Sequence, residues 1–174
     1  MAILQIPTAV PMTGSFFHIT TPGLSIGEVI APGHFGELHT SETAAQRLAD
    51  PNGEHLRERI RLAEFSSKPS RMKSIFVWET LSDARNFRDT FRPGSAIYRV
   101  TFADPSAPAH RVCATSFRMP RASESMLRPE FLARQFWAYP PLTSENNEVF
   151  AESAVKIVAI EDPGTAAVAT PAAP

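Results

Sequence analysis

Two residues of a chemically useful kind stand far apart in the chain, each within an apolar run. His18 lies inside Phe16-Phe17-His18-Ile19-Thr20, and Glu148 near the head of Asn146-Asn147-Glu148-Val149-Phe150-Ala151. An imidazole on a strand is a hydrogen-bonding group with a set direction. A carboxylate at a strand head can oppose a developing positive charge, an effect typically worth about 3–4 kcal/mol. Each also has a plainer reading, as a satisfied core histidine and as a solvent-facing edge residue. Glu152, four residues on, belongs to a Glu152-Ser153 turn and reads as surface. His34 and His39 are five apart with Glu37 between them, but a tetrahedral metal site needs a further ligand, so no metal is expected. The Arg57–Arg61 cluster, interleaved with Glu54, Glu58 and Glu64, reads as a solvated helix face. The chain lacks a Gly-rich phosphate loop, a Gly-x-Ser-x-Gly elbow and a Cys–His nucleophile spacing.

These residues need a scaffold, and 174 residues suit one domain with a sizeable core. A net charge of −1 argues against nucleic-acid binding through a bulk basic field. Lys68, Lys73 and Lys156 are the only lysines, so the cationic groups are mainly arginines, which favour planar bidentate contacts. The single Cys113 excludes an internal disulfide framework and reads as a small buried hydrophobe. No stretch approaches the roughly 20 apolar residues of a membrane span, and the N-terminus lacks the basic and apolar regions of a secretory signal. The expected location is cytoplasmic, or outside the cell through a specialised secretion system.

Residues 1–14 read as an N-terminal arm, 15–161 as the domain, and 162–174, rich in Ala and Pro, as a disordered tail. Strands are expected at Phe16–Thr20, Ser25–Ile30, Lys73–Trp78, Ala96–Ala103, Arg111–Ser116, Glu148–Ala151 and Val155–Ile160. Helices are expected at Ser41–Asp50, Asn52–Phe65, Leu81 to about Phe91, and within Ser123–Tyr139 from around Pro129, with His34–Thr40 as a loop. Trp78, Phe136 and Trp137 read as core, and Tyr139-Pro140-Pro141 as a border of the site. Strands and helices do not alternate strictly, which favours an α+β fold with two small packed sheets over a doubly wound parallel sheet.

With its elements in this order, the chain resembles the ADP-ribosyltransferase superfamily over roughly residues 15–161. The opening Phe16–Thr20 with Leu24, Gly27, Ile30 and Gly33 is similar to the first motif of the rifamycin ADP-ribosyltransferases. Lys68-Pro69-Ser70-Arg71-Met72, Ser74–Val77, Phe136-Trp137 and Asn147–Phe150 look like a little-studied bacterial family related to the same fold. The resemblance implies a split β-sheet core with flanking helices, and NAD as co-substrate. It makes Glu148 the catalytic acid that stabilises an oxocarbenium-like cation, as in glycoside hydrolysis. His18 then bonds the adenosine ribose, Thr20 helps grip the nicotinamide amide, and Arg71 offers its fork to the pyrophosphate. Ser74 or Phe76 occupies the middle position, where the superfamily usually has Tyr or Ser. Asn146, on the acceptor side two residues before Glu148, stands where many protein-modifying members have Glu or Gln and is no base.

The implied activity is mono-ADP-ribosyl transfer to an unidentified protein, nucleic-acid or small-molecule acceptor, by a toxin, an effector, or a defence or resistance modifier. An NAD glycohydrolase and a catalytically silent NAD- or ADP-ribose-binding module are the alternatives. Neither a membrane nor a metal is an expected partner.

Overall fold

Residues with β-branched and aromatic side chains form the strands of this protein, and a few helices cover one face of them. The computed structural model describes residues 12–40, 42–43, 45–46, 50, 53–113, 128–138 and 146–165. The strands are β1 (Phe16–Thr20), β2 (Val29–Ile30), β3 (Ile75–Trp78), β4 (Ala96–Phe102), β5 (Ala109–Cys113), β6 (Asn147–Ala151) and β7 (Val155–Asp162). Four α-helices are defined among the described residues: α1 (His34–Thr40), α2 (Glu54–Glu64), α3 (Leu81–Phe91) and α4 (Pro129–Ala138). A 3-10 turn over Arg71–Lys73 leads into β3. The fold is α+β.

Helix ends follow local chemistry. The Thr80 hydroxyl caps α3 by accepting the Asp83 N–H at 3.0 Å. At the start of α2 both oxygens of Asp50 accept helix N–H groups, from His55 at 3.2 Å and Leu56 at 3.0 Å. No described helix is long and apolar enough to cross a membrane.

The strand order is β2-β7-β4-β1-β3-β6-β5, every pairing antiparallel. The expectation of two small sheets is corrected: the strands hydrogen-bond into a single seven-stranded sheet. Its middle is a narrow seam. β1 and β3 share one registered pair, Phe17 with Trp78, whereas β1 is registered with β4 from Phe16 to Thr20. Both halves supply one core, with Phe16, Tyr98, Val100 and Ile157 from one side of the seam and Ile75, Val77, Val149 and Ala151 from the other. A second cluster joins Ile19, Trp78 and Ile97 to Ala84 of α3. A third joins Ile60 of α2 and Ala133, Phe136 and Trp137 of α4 to Val112 and Phe150.

Several expectations shift. His34–Thr40 is helical instead of a loop, the second strand shrinks to Val29–Ile30, and β5 begins at Ala109. Met12, expected in the arm, is buried in the core. Asp162 closes β7, and the Thr165 N–H donates to the Gly94 carbonyl at 2.9 Å, so the first residues of the expected tail belong to the domain. The helix expected at Ser41–Asp50 lies largely outside the described residues. So do 1–11, Ala114–Ser116, the entry to the last helix before Arg128, Tyr139-Pro140-Pro141, and 166–174.

Candidate functional site

The seam positions the histidine. Next to the Phe17–Trp78 pair, β1 reaches across to β3 with a side chain: Nδ1–H of His18 donates to the Phe76 carbonyl at 2.8 Å. A carbonyl only accepts, so the proton sits on Nδ1 and Nε2 keeps a lone pair. Burial holds His18 below the usual imidazole range; the Phe76 carbonyl pulls it up and Arg92 pushes it down. The ring is therefore neutral at pH 7. A cleft of about 830 Å³ opens here, within the range of roughly 300–1,000 Å³ typical of small-molecule sites. His18, Thr20, Arg71, Ser74, Phe76, Asn146 and Glu148, the site residues singled out from the sequence, all line it.

Glu148 arrives on the far side of β3. In the β3–β6 register it lies opposite Trp78, and Phe150 lies opposite Phe76, so strand alternation puts these four side chains on one face. Its carboxylate is buried, and Nη1 of Arg71 donates to it at 3.4 Å. Burial raises Glu148 from 4.5 to about 7; Arg71 opposes that shift and Glu54 adds to it. The site thus holds an acid poised near neutrality, as catalytic acids and bases often are.

Arg71 is the hub of this floor. Nε donates to Glu54 at 2.9 Å and Nη2 to the other Glu54 oxygen at 3.4 Å. The guanidinium lies 4.7 Å from the ring centre of Phe76, 5.2 Å from Phe150 and 5.4 Å from Phe35. Glu54 also accepts from Arg57 at 2.9 Å. The expectation of a solvated helix face for this stretch is corrected: Arg57 is 1% exposed and Glu54 6%. The charges point inward because Glu54 meets a cation from another element, Arg71, which reaches on to Glu148. The fork that the resemblance assigns to pyrophosphate is here engaged by Glu54 and Glu148.

The two candidates for the middle position differ in what they touch. The Ser74 hydroxyl donates to the Ser70 carbonyl at 2.6 Å, whereas Phe76 packs between Phe35 and Phe150 beside the guanidinium. Asn146 takes a left-handed φ of 55° at the turn into β6. Sequence reasoning missed Arg92, exposed on the cleft wall, and the exposed rim residues Leu38 and Phe91. It also missed Glu54, whose only sequence signal was an acid in the first turn of a helix.

The histidines regroup as well. His34 meets Glu37 at 3.3 Å on the surface, while His39 turns to Glu42 at 2.8 Å. The family model described as "Protein of unknown function (DUF2441)" matches residues 37–163. The chain belongs to this family. The DUF2441 match takes in Glu54, Arg71, Phe76, Arg92 and Glu148, and begins after the strand that carries His18 and Thr20. No curated protein matches the chain.

Proposed function

We propose that this DUF2441 protein is an NAD-dependent mono-ADP-ribosyltransferase acting on an acceptor docked at the rim of the cleft. The observation that carries the reading is the neutral His18 and the buried Glu148 lining one cleft from either side of β3. The bond from ribose C1′ to nicotinamide breaks with both electrons leaving on the ring nitrogen. C1′ is left as an oxocarbenium-like cation. Ionised Glu148 holds a ribose hydroxyl and opposes that charge from a site screened from water. A lone pair of the acceptor then forms the new bond to C1′, and Glu148, with its pKa near 7, takes the proton released.

The remaining groups fit parts of the same ligand. Nε2 of His18 accepts a ribose hydroxyl, Thr20 meets the nicotinamide amide, and Phe76 gives the nicotinamide ring a face to stack on. With Arg71 engaged, Arg92 is the exposed cation on the cleft wall that suits the pyrophosphate.

One feature favours a second reading, a module that binds NAD or ADP-ribose without turning it over. The middle position presents a phenyl ring, and the nearby Ser74 hydroxyl is committed to the Ser70 carbonyl. Nicotinamide release from NAD, measured with NAD-induced thermal stabilisation on the wild type, Glu148→Gln and His18→Ala, separates the two. The transferase reading expects release that Glu148→Gln abolishes while NAD still stabilises the fold, and weakened stabilisation in His18→Ala. Faster release on adding an acceptor distinguishes transfer from hydrolysis. Stabilisation without release under all acceptor conditions supports the binding module, and neither effect rejects NAD as the ligand.

A further inference from the structure

Beside the cleft, three side chains from separate positions converge on one point. His39 stands at the end of α1, Glu42 follows in the connection, and His55 is in the first turn of α2. Nδ1 of His39 lies 2.8 Å from one Glu42 oxygen and Nε2 of His55 lies 2.6 Å from the other. One ligand atom from each of the three lies within 4.8 Å of the others. All three are partly buried, with side-chain exposures of 16%, 25% and 32% in chain order.

The surroundings hold each group in place. The Phe35 ring meets His39 edge-on at 4.6 Å, and Asp50 caps the turn that carries His55. Just after Glu42, Thr43 and Gln46 bond reciprocally, Thr43 N–H to the Gln46 side chain at 2.8 Å and Gln46 N–H to the Thr43 hydroxyl at 3.3 Å. This is a capping box, which fixes the backbone next to the carboxylate.

We propose that His39, Glu42 and His55 bind one divalent transition-metal ion of the zinc class, tying α1 to α2 at the wall of the cleft. Two imidazoles and a carboxylate form a known zinc donor set that leaves a further coordination position open. Around a tetrahedral ion with bonds of about 2.0–2.2 Å, ligand atoms lie ~3.3 Å apart. The two N···O contacts of 2.8 and 2.6 Å therefore lengthen by roughly half an ångström as the ion takes its place between them. His39 also lines the cleft, which places the ion beside the proposed NAD site. The metal inference stands independently of the NAD reading.

The test uses the full chain stripped with a chelator and titrated with Co²⁺, then Zn²⁺. One equivalent of Co²⁺ is expected to give visible d–d absorption that Zn²⁺ displaces, with a rise in Tm. Glu42→Gln and His55→Asn are expected to weaken binding by more than about 100-fold, beyond the loss from removing an outer partner. Glu42→Gln keeps the size and hydrogen-bonding capacity of the glutamate, and far-UV circular dichroism checks that both variants fold. His34→Ala, outside the cluster, is expected to bind as the wild type does. Absence of the Co²⁺ spectrum overturns the proposal. So does binding that survives Glu42→Gln and His55→Asn, or binding that His34→Ala abolishes.

Discussion

At the scale of single residues, the floor of the cleft is a set of opposed charges with little water to screen them. Glu148 titrates near 7 when folded against an ordinary value of 4.5. Between those two pH values the folded protein holds a proton that the unfolded chain has released, so rising pH removes stability across that window. The full effect is roughly 3 kcal/mol. Glu148→Gln does not titrate. Its Tm relative to the wild type should therefore be lowest near pH 4.5 and climb up to pH 8, which paired melts across that range would test. On the proposed transferase reading, nicotinamide release needs the ionised form, so its kcat/KM should rise through about pH 7, opposite in direction to the stability. Arg71→Ala would strand Glu148 in a buried site and leave Glu54 with Arg57 alone, and urea melts should show a loss of about 3–5 kcal/mol. His18 and Glu148 were legible because a polar residue inside an apolar strand asks for a reason. The partnership of Glu54 with Arg71, 17 residues apart, was not. Its helix carries a run of mixed charges that looks solvated until another element packs over it.

At the scale of elements, what the strands show is local and what the short helices show is not. β1, β3, β4 and β6 were readable from runs of aromatic and β-branched residues, which suit a pleated surface whatever lies beyond it. In the sequence α1 looks like a loop because Gly36 interrupts it. Packing against the 3-10 turn decides it, and Gly36 is the point of closest approach. A Cβ there would lie 2.1 Å from the Met72 carbonyl oxygen, a backbone atom with no rotamer to yield. This glycine serves contact instead of flexibility. Gly36→Ala should push α1 off the turn that carries Arg71 and displace Phe35 from the guanidinium. Overpacking of this kind costs about 1–3 kcal/mol, which thermal melts would detect. NAD stabilisation should weaken in parallel, because His34, Phe35, Leu38 and His39 of α1 line the cleft.

At the scale of the whole molecule, the question is whether two half-sheets joined at one registered pair behave as one body. The hydrogen bonds across the seam are few, the registered pair Phe17–Trp78 and the His18 bond to the Phe76 carbonyl. The packing opposes separation: one core cluster takes residues from β1, β4 and β7 and also from β3 and β6. Apolar burial contributes about 25 cal/mol per Å², so opening that core would expose both halves together. The fold was legible as α+β, but the single continuous sheet was not, because pairing across a seam depends on residues roughly 60 positions apart (Phe17 and Trp78). The two tryptophans report on separate regions, Trp78 among the residues against α3 and Trp137 in the cluster of α2 and α4. Trp78→Phe and Trp137→Phe therefore each leave one reporter. Within each variant, fluorescence and far-UV circular dichroism should give coincident denaturant transitions, as in two-state unfolding. Saturating NAD should shift both probes by the same amount in each variant, since a ligand bound at the seam stabilises only the joined state. A Trp137 signal that melts apart from the circular dichroism would mean that the β3-β6-β5 half unfolds by itself, and the cleft between the halves would then be a joint that opens.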